Sequence, residues 1–304
     1  MSKLEAFSSA KKFVQVGDYR IAYYEEGEGQ PLLLLHGCPF SSFIWRKVIP
    51  LLSGEYRCLA PDLLGLGDTE TPAGTDWSLP AQAEMISGFL DALGLDTVHL
   101  VGHDHGGALA QLLAAEQPQR IQRLVITNAE AYDNWPSPDE RPFVRLTQVP
   151  LLGRAFLWAS SLRPVARLVF ASAVSDKKVL TAELLDGYIR ANLSDGRRRA
   201  RTRRFLAGQL DADHNRCTVE LLDGLKRFDK PTMIVWGQDD PHFGPEWAEK
   251  LYQDIPGAYR LEFLPGTGHL LMEERPQELA SLILDFLSQE PVPARKSLGA
   301  ESSA

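Results

Sequence analysis

Cysteine is scarce in this chain: three of 304 residues, at Cys38, Cys58 and Cys217. An odd count without paired spacing excludes a disulfide framework and a thiolate metal site, and points to a reduced, cytoplasmic setting. Long apolar runs are missing too. No stretch approaches the roughly 20 residues that a membrane helix needs. The opening Met1-Ser2-Lys3-Leu4-Glu5-Ala6-Phe7 lacks the apolar segment of a secretory signal. Positive charge is not in surplus. With 32 Lys and Arg against 40 Asp and Glu, the net charge is −8, which argues against a nucleic-acid partner. No internal repeat is found. What is present is ordinary for a globular protein with a sizeable core, at 44% hydrophobic and 24% charged residues.

Apolar runs of strand length alternate with helical patterns. Phe13–Val16 and Arg20–Tyr24 flank the turn Gly17-Asp18. Leu32–Leu35 is an unbroken aliphatic run, as expected of a strand buried on both faces. Tyr56–Ala60, Thr97–Val101, Arg123–Thr127, Pro231–Trp236 and Arg260–Leu264 read as further strands. Helices are predicted over Ser42–Leu52, Leu79–Leu93, Ala108–Glu116 and Glu278–Leu287. This alternation implies an α/β class with a mostly parallel sheet wrapped on both faces. It stops between about Asp133 and Phe228, where helix-like pieces follow a proline-rich start (Pro136, Pro138, Pro142, Pro150). The expected organisation is a core of residues 1–132 and 229–288, a helical cap of 133–228 and a flexible tail of 289–304.

The chemistry concentrates at Val98-His99-Leu100-Val101-Gly102-His103-Asp104-His105-Gly106-Gly107-Ala108. A strand runs into a small-x-nucleophile-x-small turn and then into a helix. This is the G-x-S-x-G elbow with Asp in place of Ser. The exchange matters because a serine that displaces a group from saturated carbon leaves an ether, which water does not readily cleave. A carboxylate leaves an ester, which water hydrolyses at its carbonyl. The competing reading is a degenerate elbow with a structural Asp. A histidine on a glycine-flanked loop, Gly266-Thr267-Gly268-His269, follows the last strand. Chain order then requires an acid between the two. Asp240, in Gly237-Gln238-Asp239-Asp240-Pro241, is the candidate, with Asp239 as fallback. Asp104 attacks, His269 activates water against the ester, and Asp240 orients His269. The backbone N–H groups of His105 and Cys38 are the expected oxyanion donors, Cys38 lying in His36-Gly37-Cys38-Pro39 after an aliphatic strand.

These segments, with Pro61-Asp62-Leu63-Leu64-Gly65-Leu66-Gly67-Asp68, resemble the α/β-hydrolases with an aspartate nucleophile, the epoxide hydrolases and haloalkane dehalogenases. The resemblance spans roughly Phe13 to Leu287. It implies an α/β-hydrolase fold with an eight-stranded sheet, a helical cap over the site and no cofactor. His105 stands where such dehalogenases carry a halide-binding Trp, and Cys38 where many carry Asn. Fluoroacetate dehalogenases carry arginines beside the nucleophile, where this chain has His105 and Ala108. Epoxide hydrolases use two cap tyrosines as acids, for which Tyr132 and Tyr188 are available. Asn128 holds the position where one dehalogenase group has its acid, with Glu130 as a weak substitute.

Candidate substrate-binding residues are therefore His36, Trp135, Trp158, Tyr132 and Tyr188, with buried packing as the competing reading for each aromatic. No metal is expected, because His103 and His105 lack further ligands. Gly65 and Gly67 fit a tight turn rather than a dinucleotide loop. The run Arg197-Arg198-Arg199-Ala200-Arg201-Thr202-Arg203-Arg204 reads as a solvated helix face. The expected activity is hydrolysis of a small, apolar to moderately polar organic substrate by water. An epoxide is favoured over a haloalkane because the halide-binding Trp and Asn are missing. Ester or lactone hydrolysis and a non-catalytic receptor on the same scaffold are the alternatives.

Overall fold

Four consecutive leucines decide where the sheet has its centre. In the computed structural model, which describes residues 3–290 and treats 212–215 by backbone alone, Leu32 to Leu35 are all fully buried. Leu33 and Leu35 pack into one core and Leu32 and Leu34 into the other, as the two-residue period of a strand demands. The strands are β1 (Lys12–Val16), β2 (Tyr19–Glu26), β3 (Gln30–Leu35), β4 (Tyr56–Pro61), β5 (Val98–Asp104), β6 (Ile121–Ala129), β7 (Thr232–Gly237) and β8 (Ala258–Leu264). They form one eight-stranded sheet in the order β1-β2-β4-β3-β5-β6-β7-β8. β1 and β2 pair antiparallel, as do β2 and β4, and every later pair is parallel.

The helices are α1 (Lys3–Ser9), α2 (Ile49–Leu52), α3 (Leu79–Ala92), α4 (His105–Glu116), α5 (Glu140–Gln148), α6 (Leu152–Ala159), α7 (Arg163–Val169), α8 (Ala182–Asn192), α9 (Gly196–Gly208), α10 (Ala212–Glu220), α11 (Leu222–Leu225), α12 (Pro245–Asp254), α13 (Leu271–Glu274) and α14 (Pro276–Ser288). α3, α4 and α12 cover one face of the sheet, through Phe89, Leu109 and Leu251. α2 and α14 cover the other, through Leu52 and Phe286. Each fully buried side chain of this kind contributes about 1.5–3 kcal/mol. Between β6 and β7 the described residues form helices and no strand. Among the described residues no helix is long and apolar enough to cross a membrane.

Two local expectations are corrected. The helix expected over Ser42–Leu52 is a 3₁₀ turn, Ser42–Trp45, followed by the short α2. Pro50 explains the break, since its ring would strike the carbonyl of residue 46 in a continuous helix. α1 was not foreseen at all. It is anchored by one buried side chain, Phe7, stacked on Tyr24 with ring centroids 4.2 Å apart. Of the expected tail, Gln289 gives its carbonyl to Arg123, and 291–304 lie outside the described residues.

The arginine run is also not simply a solvated face. Arg198 donates to the Gly67 carbonyl at 2.8 Å and pairs with Asp68 at 2.7 Å. Arg203 donates to the carbonyls of Thr147 and Gln148, each at 2.7 Å, and Arg204 donates to the Thr75 carbonyl. Buried Asn192 completes this attachment. It accepts from the Gly67 N–H at 3.0 Å and donates to the carbonyls of Pro39 and Phe40 at 2.8 Å. The insertion is thus held to the loops after β3 and β4 by guanidinium and amide groups on backbone carbonyls.

Asp68 and Asp62 anchor the core end. Lys11 lies 2.5 Å from Asp62 and 3.0 Å from Asp68. Burial opposes ionisation of both, yet Lys11, with Arg198 beside Asp68, holds both carboxyls below their ordinary range. The folded state therefore binds these protons more weakly than the unfolded chain. The stabilisation is complete above a pH of about 4 and is lost as pH falls through the depressed values. Urea midpoints between pH 3 and 7 should fall toward the acid end. Asp68→Asn should lower the neutral-pH midpoint and flatten that dependence; an unchanged pH profile would contradict the assignment.

Candidate active site

The elbow is set by a backbone that few residues tolerate. Asp104 ends β5 and precedes α4 with φ 55° and ψ −123°, a sparsely populated region that costs about 1–3 kcal/mol. Gly106 is required just beyond, because a Cβ there would come within 2.5 Å of the Leu35 carbonyl. The tight crossing lifts the Asp104 side chain to the C-terminal edge of the sheet, at the positive end of α4.

The loop after β3 meets this carboxylate directly. Cys38 N–H donates to Asp104 Oδ2 at 2.9 Å. Gly37 must lack a side chain, since its Cβ would lie 2.1 Å from the same oxygen. The other oxygen, Oδ1, is buried and has no hydrogen-bond partner among the described residues. His105 is the first residue of α4, where helix amides point back toward the chain start. The Cys38 thiol is pushed far up by burial, with Asp104 and Glu130 adding to it, and stays protonated and inert.

The loops after β7 and β8 supply the remaining groups. His269 Nε2 lies 3.9 Å from Asp104 Oδ2, and its Nδ1 lies 2.8 Å from Asp240 Oδ2. Asp240 is fixed from two further sides. Asn128 Nδ2 donates to Oδ2 at 2.6 Å and the His242 N–H donates to Oδ1 at 2.8 Å. Asn128 is itself oriented by the Gly237 N–H at 2.8 Å. So the Asn at the alternative acid position orients the acid rather than replacing it. Asp239, the fallback, is exposed. Glu130, the other substitute, is fully buried against His105, with Oε2 3.1 Å from Nδ1.

Electrostatics follow from this geometry. Burial disfavours a charged His269, but Asp240 and then Asp104 outweigh it and hold the imidazolium well above the usual histidine range. Burial likewise opposes ionisation of Asp240, and the His269 charge brings it below the carboxylate range. Asp104 is moved upward by burial, against the pull of His269. His105 is raised because Glu130 overcomes the burial cost.

The remaining predicted contacts are not at the carboxylate. His36 has both ring nitrogens committed to backbone: Nδ1 bonds the Gly37 carbonyl at 2.8 Å, and Nε2 accepts from the Leu63 N–H at 3.0 Å. Burial lowers it to about 4, so it is a neutral brace between two loops. Tyr132 donates its hydroxyl to Asp254 and Tyr188 to Glu273, at 2.8 and 2.9 Å. Trp135 donates to Gln209 at 2.6 Å. Trp158 is 56% exposed on the surface. In each case a partner elsewhere, or solvent, already satisfies the polar tip. Other groups of the insertion reach the oxyanion loop. Val144, Phe205 and Leu206 from the insertion pack with Cys38 and Leu66 in one apolar cluster. Glu140, at the start of α5, feels the charges of Asp104, His269 and Asp240. The signal available for Glu140 was Ser137-Pro138-Asp139-Glu140, a helix-start pattern just after the proline-rich entrance of the insertion.

Glu274 clasps the histidine loop to the insertion. Its Oε2 accepts from the Gly268 N–H at 2.8 Å, and its Oε1 accepts from the N–H groups of Ser175 and Asp176 at 2.9 and 2.8 Å. Asp104 is 2% exposed and His269 5%.

The sequence profile of the family described as alpha/beta hydrolase fold matches residues 30–276. The chain belongs to the α/β-hydrolase family. Among its curated relatives, haloalkane dehalogenase 2 of Mycobacterium tuberculosis is 30% identical over 275 residues, covering 88% of this chain and 91% of that protein. The soluble epoxide hydrolase of Corynebacterium sp. is 29% identical over 293 residues, covering 90% and 95%. Among solved structures, an ancestral haloalkane dehalogenase superposes with a TM-score of 0.77 at 26% identity, covering 91% of this α/β-hydrolase and 100% of that chain.

Proposed function

We propose that this α/β-hydrolase opens an electrophilic saturated carbon through a covalent ester on Asp104, with an epoxide as the favoured substrate and a haloalkane as the alternative. The asymmetry of the Asp104 carboxylate carries the reading. Oδ2 is engaged by the Cys38 N–H, while Oδ1 has no partner among the described residues and keeps its lone pairs available for attack. After attack, Oδ2 becomes the ester carbonyl oxygen. It already sits on the donor that its oxyanion needs when water adds.

The base is timed by the same charges. While Asp104 is anionic, it helps to hold His269 as the imidazolium. Esterification removes that negative charge, so His269 shifts toward its neutral form and accepts a proton from water. Asp240 then faces the imidazolium that forms. Water adds to the ester carbonyl, the tetrahedral species collapses, and the alkoxide leaves with the proton from His269.

The preference for an epoxide rests on two features. No indole N–H from Trp135 or Trp158 is directed to Asp104. Glu140 brings an ionisable group to the insertion side of the site. The deciding measurement is turnover of a small panel containing styrene oxide, 1-bromobutane and an activated aryl ester. Diol formation without halide release is the expected result, and halide release without diol would overturn the preference.

A further inference from the structure

Displacement at an epoxide differs from displacement at a haloalkane in one respect that leaves a structural trace. A halide departs as a stable anion, whereas an epoxide oxygen departs as an alkoxide and needs a proton. The two candidate tyrosines, Tyr132 and Tyr188, do not supply it. The hydroxyl of Tyr132 is held by Asp254 and that of Tyr188 by Glu273. Burial and those carboxylates push both phenols far up.

Glu140 is differently placed. It opens α5, and its side chain is only 21% exposed. The Ser137 hydroxyl donates to Oε2 at 3.0 Å, and Oε1 lies 3.7 Å from His242 Nδ1. His242 in turn packs edge-on against His269, with centroids 5.6 Å apart. The His242 backbone N–H also donates to Asp240 Oδ1 at 2.8 Å, so Glu140 meets the triad through the loop after β7. Burial first, and then the negative charge of Asp104, raise Glu140 to about 8. At neutral pH it is therefore an uncharged acid.

We propose that Glu140 is the catalytic acid that protonates the epoxide oxygen while Asp104 Oδ1 attacks the ring carbon. This deepens the epoxide reading and rests on it. One C–O bond forms at Oδ1 and the ring C–O bond breaks. The ring oxygen takes the Glu140 proton, leaving a β-hydroxyalkyl ester and a Glu140 carboxylate. Hydrolysis of that ester by one water gives the diol, the Asp104 carboxylate and one proton, and that proton restores Glu140. The sum is epoxide plus water to diol.

The groups around Glu140 are Cys38 after β3, Asp104 at the elbow, Asp240 and His242 after β7, His269 after β8, and Ser137 and Asp139 on its own segment. To remove His269 as a rival donor, the test uses the His269→Gln protein, in which the ester accumulates. Adduct formation with styrene oxide is timed by intact-protein mass spectrometry from pH 6 to 10. The expected rate is high at low pH and declines as Glu140 ionises. Glu140→Gln should slow it at least about 100-fold and abolish the decline, while Glu140→Asp should recover part of the rate. Alkylation by 1-bromobutane should be indifferent to Glu140→Gln. If that reagent gives no adduct, the pH profile of the Glu140-containing protein decides alone. An unchanged styrene oxide rate, a decline that survives Glu140→Gln, or equal slowing of both reagents would make Glu140 merely a helix-start residue. Absence of any adduct from either protein would remove the Asp104 ester itself, and this inference with it.

Discussion

His269→Gln should convert the protein from a catalyst into a single-use reagent. Steady-state turnover should fall by about 10⁶-fold, in line with the removal of a triad histidine elsewhere, while the first chemical step survives. One equivalent of substrate then stays on Asp104, and its mass reports the bond that broke. An epoxide adds its whole mass. A haloalkane adds its mass less that of the hydrogen halide. Peptide mapping should place the adduct on the Asp104 peptide. The geometry makes this separation of steps possible, because His269 lies 3.9 Å from Oδ2, on the carbonyl side of the future ester. An adduct located on any other residue, or turnover at the parental rate, would refute the scheme.

Glu273→Ala should have the largest effect on stability. Glu273 has a fully buried side chain and receives Arg46, Lys47 and Tyr188 together: Arg46 Nη2 donates to Oε2 at 3.0 Å, Lys47 Nζ lies 2.9 Å from Oε2, and the Tyr188 hydroxyl donates to Oε1 at 2.9 Å. Removing it strands the Arg46 guanidinium, whose side chain is only 11% exposed. Breaking such a pair from one side costs about 3–5 kcal/mol, because an uncompensated charge stays buried. Urea unfolding followed by circular dichroism should show a loss of that size. Glu273→Gln, which keeps a hydrogen-bond acceptor, should lose less. If the two variants unfold at the parental midpoint, the cluster does not contribute to stability.

Much of the fold was legible because its strands are aliphatic and its elbow is short and specific. Asp104, Asp240 and His269 could be proposed from the sequence alone, since each follows a strand in the required chain order, and the structure brings them within hydrogen-bonding or near-contact distance. Asn128 was read as a lost acid, because its pairing with Asp240 joins residues 112 apart in sequence. The two readings of Tyr132 and Tyr188 could not be separated in the sequence for a physical reason. A Tyr or Trp in a helical segment looks the same whether it faces a substrate or a buried carboxylate, and Tyr132 and Tyr188 face carboxylates. The arginine run misled in a similar way, because backbone carbonyls that receive guanidinium groups carry no sequence signature. Glu140 was invisible as an acid, since its raised proton affinity comes first from burial and then from the charge of Asp104, both set by tertiary packing.

The Glu274 carboxylate grips Gly268 on one side and Ser175 and Asp176 on the other. The turn that carries the imidazole and the insertion therefore share a single carboxylate, so that a shift of either segment is felt by the other.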